Sequence, residues 1–197
     1  MTDRTILFSP PMVLVLLAGR KTQTRRLMRN PEFYGCPTGD CPHDRQAQCD
    51  AAMNALTAKE TGYAVGDRLW VREAWRTAKV SDELKPSQLV GGGYSPIWYE
   101  VDRDNCDEHG RYRHARFMPR MTLTVEDVRV QRLQDIDAAD ARAEGIEEAA
   151  IQHFGCPIKA YAALWNHLHG AENDTSWEAN PWVVAISFSV EHRNINA

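Results

Sequence analysis

The pattern of apolar and polar positions along the chain predicts three strands. Polar and apolar side chains alternate over 68–75, directly after a turn signal at 66–67, and residues 182–190 form a run whose even-numbered members are all large and apolar. Alternation also runs through 121–130, with a slip of one residue at 126–127 that favours a β-bulge. Such alternation is typical of strands that bury one face.

Helical signals mark three other stretches. An apolar run over 10–17 follows Ser9, a candidate N-cap, and begins with two prolines; it ends before Gly19, where a left-handed C-cap is expected. A second helix is predicted over about 135–144, and a third over 157–169, where apolar residues recur at spacings of three and four. These helices alternate irregularly with the strands, and no internal repeat is visible.

Two polar segments interrupt this regular structure. Residues 30–62 are rich in Cys, Pro, Gly and polar side chains, and residues 77–117 are polar and glycine-rich, with one short strand-like run at 97–101. We interpret both segments as insertions in a single domain that covers 1–197. Strands outnumber the helices that a repeated strand–helix–strand pattern needs, which favours an α+β fold built on a small β-barrel flanked by helices.

Composition narrows the possible classes of protein. Charged residues make up 25% of the 197 residues and hydrophobic residues 43%, which is ordinary for a globular chain. The formal net charge of −4 excludes bulk attraction to nucleic acid, so a polyanion must meet a local patch. The apolar stretch near the N-terminus is too short to span a bilayer and lacks the features of a signal peptide, so we expect a cytoplasmic protein without a membrane partner.

A basic cluster directly follows the first helix. Between 20 and 29 there is no acidic residue, and a lysine without a partner in such a cluster experiences repulsion that favours its neutral, proton-accepting form. A solvated basic turn is the alternative interpretation. The basic residues are Arg20, Lys21, Arg25, Arg26 and Arg29.

Three motifs stand out along the chain: Leu17-Ala18-Gly19-Arg20-Lys21-Thr22-Gln23-Thr24-Arg25, Gly66-Asp67-Arg68-Leu69-Trp70-Val71 and the terminal strand over 182–188. In order and spacing they resemble the ASCH superfamily, whose fold is a PUA-like β-barrel. The wider chain, including residues 118–120, 133–136 and 180–182, is similar to the larger ASCH proteins of bacteriophages and prophages.

The resemblance implies an activity. A small bacterial branch of that superfamily hydrolyses N(4)-acetylcytidine to cytidine and acetate, with a lysine and a threonine from the first motif and a glutamate from a following helix. Lys21 and Thr24 match the first two residues, and Glu144 stands at the position equivalent to the glutamate. Glu73 has no counterpart in that branch and is the alternative carboxylate. The resemblance implies no cofactor for catalysis.

Amide hydrolysis by these residues needs a nucleophile and a proton acceptor. Kept neutral by Arg20, Arg25 and partial burial, Lys21 takes the proton of the Thr24 hydroxyl, which attacks the acyl carbonyl. Attack by a water that Thr24 only binds is the alternative. Because residues 21 and 24 of a regular strand point to opposite faces, their pairing requires a turn just after Gly19.

The remaining steps involve a carboxylate and substrate-binding groups. Glu144 orients the lysine or handles the proton on the exocyclic amine, and Arg26 or main-chain amides stabilise the oxyanion. Aromatic side chains such as Trp70, Trp75, Trp98 and Tyr99 are candidates for stacking on a pyrimidine ring. We assign substrate binding to Arg20, Arg26, Glu73 and Trp75.

A cluster of potential metal ligands lies in the first insertion. Cys36, Cys41, His43 and Cys49 form a Cys₃His set that is suited to a structural zinc ion, although their spacing is not a standard zinc pattern. Free cysteines in a flexible loop are the alternative. The seven histidines show no His-x-x-x-His or His-Glu pairing, which makes a catalytic zinc improbable.

Two classes of function compete at this point. One is an amidohydrolase acting on a small acylated pyrimidine nucleoside, and the other is an RNA-binding or single-strand-cleaving PUA-like module. Negative net charge and the small size of the basic cluster favour the enzyme, because nucleic-acid binding needs many phosphate contacts. A second group of arginines between 111 and 120 favours RNA, and an accessory protein that only binds a modified nucleotide is a third possibility.

Overall fold

The computed structural model describes residues 3–28, 58–89, 97–102, 119–169 and 173–195. The predicted zinc ligands Cys36, Cys41, His43 and Cys49 lie outside the described residues, as do Arg29 and much of both predicted insertions. Among the residues that the structure describes, every helix is too short or too polar to cross a membrane.

The described residues form seven strands and six α-helices. The strands are β1 (Asp3–Leu7), β2 (Gln23–Leu27), β3 (Arg68–Arg72), β4 (Trp75–Arg76), β5 (Trp98–Tyr99), β6 (Thr122–Arg132) and β7 (Trp182–Glu191). The helices are α1 (Pro10–Leu17), α2 (Ala58–Thr61), α3 (Pro86–Leu89), α4 (Ala138–Ala143), α5 (Glu148–Phe154) and α6 (Pro157–His169). Short 3₁₀ turns are formed by Lys79–Ser81, Glu100–Asp102, Leu133–Asp135 and Asn173–Thr175.

Five strands form one sheet in the order β1-β3-β6-β7-β2, and β4 and β5 form a separate pair. Strand β1 runs parallel to β3, whereas β3 is antiparallel to β6 and β2 is antiparallel to β7. Thr24 in β2 lies opposite Ile186 in β7. The mixed α+β class predicted from the sequence is confirmed.

The chain divides into two compact units, each built from separate stretches of sequence. The first unit comprises Met1–Gly19, Asp67–Thr124 and Val190–Ala197, and the second comprises Arg20–Gly66 and Val125–Ser189. Each unit has apolar residues removed from solvent. In the first they include Leu69, Val71, Trp75, Met121 and Leu123. In the second they include Leu133, Ile136, Ala141, Tyr161, Trp165 and Val183.

Helix α1 begins and ends where the sequence predicts. Ser9 occupies the N-cap position with extended backbone, and Val13 donates its amide to the Ser9 carbonyl, although the Ser9 side chain makes no capping bond. At the other end Gly19 has a φ of 67°, and its amide donates to the Leu16 carbonyl at 2.9 Å. This left-handed residue ends the helix, as glycine does most readily.

The prediction of one strand over 68–75 is wrong. Strand β3 ends at Arg72, and Trp75 starts β4 in the second sheet, where it lies opposite Tyr99. Glu100 donates its amide to the Ala74 carbonyl at 3.0 Å, which extends this pairing by one bond. The chain therefore leaves the five-stranded sheet at residues 73–74, because the backbone groups there bond to the 97–102 segment instead.

Candidate functional site

The segment between α1 and β2 is held by main-chain hydrogen bonds in the second unit. Thr22 donates its amide to the Ala143 carbonyl, and Phe188 donates its amide to the Thr22 carbonyl, both at 2.9 Å. Thr22 is therefore fixed between the end of α4 and strand β7. This fixes Lys21, its neighbour in the chain, beside the C-terminal end of α4.

Helix α4 ends at Ala143, and Glu144 is its C-cap. The Asp137 side chain accepts the Asp140 amide at 2.7 Å at the start of the helix, and Gly145, with a φ of 89°, follows Glu144 at its end. Carbonyl groups in the last turn of a helix have no partner within it. The Lys21 Nζ atom donates to the Glu144 carbonyl oxygen at 2.7 Å, a favourable place for a cation.

The same amine binds the side chain of Glu144. Lys21 Nζ donates to Glu144 Oε2 at 2.8 Å, and the two residues are only 2% and 4% exposed. The sequence predicts a lysine without a partner in this basic cluster. In the structure the lysine has a carboxylate partner. A buried charge is tolerated only when it is paired and hydrogen-bonded, and this pair meets both conditions.

Burial lowers the pKa of Lys21 below its ordinary value. The negative charge and the hydrogen bond of Glu144 act against this effect, and the positive charges of Arg26 and Arg25 add to it. The sequence predicts this effect for burial, Arg20 and Arg25. The Arg20 side chain is half-exposed and forms an ion pair with Glu147 at 3.7 Å. Burial, Arg26 and Arg25 bring Lys21 closer to its neutral form.

Arg25 bridges two carboxylates of α4 and its C-cap. Its Nη1 donates to Glu144 Oε1 at 3.1 Å, and its Nη2 donates to Asp140 Oδ2 at 2.6 Å. Asp140 and Glu144 are four residues apart and lie on the same face of the helix. The guanidinium of Arg25, whose side chain is 0% exposed, separates these two like charges and compensates both.

A glutamine completes the contacts of Arg25. Gln23 accepts from Arg25 Nη1 at 2.5 Å and donates through Nε2 to Asp140 Oδ1 at 3.0 Å and to Ser187 Oγ at 3.2 Å. Among the described residues no acceptor reaches the buried Nε of Arg25. An unsatisfied buried donor costs about 1–3 kcal/mol, so the carboxylate contacts hold the guanidinium in place against a measurable penalty.

Asp140 is the second acid of the cluster. Its burial opposes ionisation, but the hydrogen bond from Gln23 and the positive charges of Arg25 and Arg129 outweigh it, so the pKa of Asp140 is lowered. Arg129 reaches Asp140 from β6 at 3.3 Å and also binds Asp127 at 3.1 Å. Asp140 therefore stays ionised at neutral pH.

Tyr161 on α6 covers the other side of Arg25. The centre of the Arg25 guanidinium is 5.9 Å from the ring centroid, within the range of a cation–π contact. Burial raises the pKa of Tyr161 well above its usual range, and the carboxylate of Glu144 adds to this effect. The phenol stays protonated throughout the neutral range. The rings of Trp165 and Trp177, each 6.2 Å from Tyr161, continue the aromatic packing.

Thr24 and Arg26 lie on the face of β2 that is opposite to Gln23 and Arg25. Alternate residues of a strand point to opposite faces, and Gln23 and Arg25 bind each other on the face of Glu144. On the other face Arg26 Nη1 donates to Thr24 Oγ1 at 2.9 Å. Because Lys21 also binds Glu144, it shares the side of Arg25. The structure thus joins Lys21 to Glu144, and joins Thr24 to Arg26.

Two of the predicted substrate-binding residues, Glu73 and Trp75, lie in the first unit. Glu73 accepts from Arg120 Nη2 at 2.9 Å and from Arg120 Nε at 3.1 Å. Arg120 also binds Asp102 at 2.9 Å and lies over the Tyr99 ring at 4.1 Å. Trp75 is 1% exposed, so its ring belongs to the core. The carboxylate that binds Lys21 is Glu144, and the one that binds Arg120 is Glu73.

The pKa values around Arg120 are shifted by burial. Burial raises the pKa of Glu73, while the hydrogen bond and charge of Arg120 act against this rise. Burial and the charge of Glu73 raise the pKa of Tyr99 to about 12. This cluster is a partly buried ion-pair network, in which Arg120 connects Glu73, just after β3, to Asp102 and Tyr99.

The basic cluster offers fewer free cations than its sequence suggests. Lys21 and Arg25 are buried and bound to carboxylates, and Arg20 is paired with Glu147. Phosphate contacts need exposed cations that can replace counterions. Among the described residues of this cluster, Lys21 and Arg25 are therefore not available for phosphate contacts.

Sequence reasoning missed three members of the site: Gln23, Asp140 and Tyr161. Asp140 had a signal, since it stands four residues before Glu144 on a predicted helix, where two acids share a face. Tyr161 lies on the helix that the sequence predicts over 157–169, and it is buried. Within the described parts of the chain, no three His, Cys, Asp or Glu residues are grouped in a way that could hold a metal ion.

Solved structures similar to this chain include two from bacteria. One is a protein of Enterococcus faecalis V583 from the family described as DUF984, 11% identical over 96% of this chain and 80% of that one, with a TM-score of 0.41. The other is an ASCH domain from Lactobacillus crispatus JV V101, 11% identical over 96% of this chain and 79% of that one, with a TM-score of 0.43. ASCH is the family that the sequence motifs indicate.

No protein-family model and no curated protein sequence matches the chain. At these identities and TM-scores the likeness to solved structures says nothing about activity. The function has to be judged from the residues themselves.

Proposed function

We propose that this chain is an amidohydrolase that removes the acyl group from an N(4)-acylated cytosine nucleoside such as N(4)-acetylcytidine. The observation that carries the proposal is the buried amine of Lys21, which is bonded twice to Glu144 and has a lowered pKa. A buried lysine of this kind can exchange a proton with a substrate near neutral pH. The substrate class comes from the resemblance of Lys21, Thr24 and Glu144 to the acetylcytidine-hydrolysing branch.

The first step of the reaction is attack on the acyl carbonyl. Neutral Lys21 accepts a proton from a water molecule, and the water oxygen forms a bond to the carbonyl carbon. Glu144 keeps the amine oriented through the bond between Nζ and Oε2. The carbonyl oxygen becomes an oxyanion, which Arg26, whose positive charge also acts on Lys21, or main-chain amides would stabilise.

The second step breaks the amide bond. The oxyanion re-forms the carbonyl, the carbon–nitrogen bond breaks, and the ammonium of Lys21 returns its proton to the exocyclic nitrogen. The products are the cytosine nucleoside and a carboxylic acid, which releases its remaining proton to solvent. Lys21 is then neutral again, so one residue serves as base and as acid.

The direct attack of water is favoured over attack by Thr24. Thr24 Oγ1 accepts a hydrogen bond from Arg26 on one face of β2, whereas Lys21 shares the other side with Arg25 and Glu144. A threonine nucleophile needs a base within hydrogen-bonding reach. A threonine that only accepts a hydrogen bond from Arg26 needs no base. The contact between Thr24 and Arg26 supports this binding role for Thr24.

A direct assay tests the proposal against its rival. Purified chain is incubated with N(4)-acetylcytidine and, separately, with a single-stranded RNA oligonucleotide, and both mixtures are separated by chromatography. We expect cytidine and acetate in equal amounts and intact RNA. Unchanged N(4)-acetylcytidine in the presence of folded protein contradicts the proposal, and RNA fragments would favour the single-strand-cleaving alternative.

A further inference from the structure

We infer that Arg25 is a positioning residue of the proposed acid–base pair: it keeps Glu144 compensated as an ion while Lys21 gives up its proton. This inference rests on the proposed function only for its catalytic consequence. Its physical content concerns the charges of three buried side chains, and it can be measured without any substrate.

The two oxygens of the Glu144 carboxylate are bound to different cations. Oε2 accepts from Lys21 Nζ at 2.8 Å, and Oε1 accepts from Arg25 Nη1 at 3.1 Å. If Lys21 were the sole partner, its deprotonation would leave a buried carboxylate without a counter-charge, which is strongly unfavourable. With Arg25 in place the carboxylate keeps a partner in both protonation states of the lysine.

An arginine suits this requirement. A guanidinium group keeps its positive charge in proteins, whereas a buried lysine amine can lose its proton. The planar group also reaches Glu144 and Asp140 with different nitrogen atoms, at 3.1 Å and 2.6 Å. Arg25 therefore supplies a permanent charge, and Lys21 supplies the proton that moves.

The orientation of Arg25 is fixed by contacts of both terminal nitrogen atoms. Asp140 and Gln23 bind its nitrogen atoms, and the Tyr161 ring lies 5.9 Å from its centre. Its side chain is completely buried. Because the guanidinium cannot turn away, the bond to Glu144 Oε1 persists when the charge of Lys21 changes.

The charged groups around Lys21 and Glu144 shift the pKa of Lys21 in the directions that this role requires. From β2, Arg25 and Arg26 lower the pKa of Lys21, and at the end of α4 Glu144 acts in the opposite direction. From α6, Tyr161 faces Glu144 as a neutral phenol. Asp140 on α4 stays ionised between Arg25 and Arg129, as its lowered pKa requires. Removing the charge of Arg25 should therefore make Lys21 hold its proton more tightly.

The experiment is a titration of Lys21 by nuclear magnetic resonance. Protein carrying ¹³C at the lysine ε-carbons is titrated as wild type, Arg25→Gln and Arg129→Gln, with the Lys21 signal assigned by its absence in Lys21→Met. We expect the pKa of Lys21 to rise in Arg25→Gln by about one unit or more. Arg129→Gln is the matched control, because Arg129 also binds Asp140 but lies at the surface, and we expect the pKa of Lys21 to stay within a few tenths of a unit.

The hydrolysis assay supplies a second readout. In Arg25→Gln the rising limb of the pH–kcat profile should move to higher pH by the same amount as the lysine pKa, with KM little changed. Arg25→Lys restores a cation beside Glu144 and should return the Lys21 titration towards wild type. A merely structural role would lower kcat at all pH values and leave the position of the limb unchanged.

The outcomes separate the two proposals. If the Lys21 titration moves as expected but no variant hydrolyses N(4)-acetylcytidine, the positioning role stands and the proposed function fails. If folded Arg25→Gln titrates at Lys21 like the wild type, the positioning role is overturned. If Arg25→Gln does not fold, the Lys21 titration is measured in Asp140→Asn instead. This substitution leaves the charge of Arg25 less compensated and should lower the pKa of Lys21. An unchanged pKa of Lys21 in Asp140→Asn overturns the inference.

Discussion

The amine of Lys21 binds Glu144 at two places, its carbonyl oxygen at 2.7 Å and its carboxylate oxygen Oε2 at 2.8 Å. The two residues are separated by 123 positions in the sequence. This contact joins the segment before β2 to the end of α4, and it places an ionisable amine where water has little access. Stability and the proposed chemistry therefore depend on the same pair.

Replacement of Glu144 by glutamine should destabilise the fold strongly. Glu144→Gln keeps the shape of the side chain but leaves Lys21 and Arg25 with less negative charge in a buried place. Removing one partner of a buried pair costs about 3–5 kcal/mol. The free energy of unfolding, measured by circular dichroism in urea, should fall by that amount.

The matched control is Glu147→Gln, which removes a neighbouring carboxylate at the surface. Glu147 pairs with Arg20 at 3.7 Å, and both side chains are largely exposed. Exposed pairs contribute little, so the free energy of unfolding should change by less than about 0.5 kcal/mol. An equal loss of free energy of unfolding in both variants would contradict a larger contribution of the buried pair to stability.

Much of the fold could be predicted because its signals are local. The two prolines and Gly19 mark both ends of α1, and the even-numbered residues of β7, from Trp182 to Val190, are all large and apolar. Strand β1 carries no such signal, because Ile6 is its single buried residue. It forms through parallel pairing with β3, a non-local contact that residue spacing does not reveal.

The site was predicted less completely than the fold. The resemblance implies Lys21 and Glu144, whereas the sequence predicts Arg25 only as a cation that helps to keep Lys21 neutral. Its carboxylate partners, Asp140 and Glu144, stand 115 and 119 positions away in the sequence. Whether an arginine faces solvent or bridges two acids depends on tertiary contacts of this range, which local pattern does not encode.

Substitutions of Thr24 distinguish a nucleophile from a residue that holds Arg26. If Thr24 only binds Arg26, Thr24→Val should lower kcat by about 10- to 100-fold, the value of one hydrogen bond to a charged group. Thr24→Ser keeps the hydroxyl and should retain most of the activity. Loss of all turnover in Thr24→Val, with the fold intact by circular dichroism, would instead identify Thr24 as the nucleophile.

The lowered pKa of Asp140 predicts a pH-dependent cost for Asp140→Asn. A carboxyl whose pKa is lower in the folded state contributes stability above its unfolded pKa of about 3.9, and this stability is lost as the pH falls through the folded value. At pH 7 the substitution should cost about 1–3 kcal/mol. Urea unfolding should show the same difference from wild type at pH 7 and pH 5 and a smaller one at pH 3, whereas Asp127→Asn, at the surface, should show little difference at any pH.

Glu73 should behave in the opposite way. Burial raises its pKa in the folded state, so its contribution to stability is full below the unfolded pKa of about 4.3 and is lost as the pH rises through the folded value. The advantage of wild type over Glu73→Gln should therefore be larger at pH 4 than at pH 7. Urea unfolding of both proteins at these pH values measures it, and an advantage that grows with pH would mean that the ion pair with Arg120 outweighs burial.

The most direct test of the central claim is the rate of N(4)-acetylcytidine hydrolysis by Lys21→Met. Methionine fills the space of the lysine stem and leaves Glu144 paired with Arg25, so the fold should persist while the proton acceptor is lost. Lys159→Met, at an exposed position of α6, is the matched control. We predict release of cytidine at background rate by folded Lys21→Met and at the wild-type rate by Lys159→Met; substantial turnover by Lys21→Met would contradict the account.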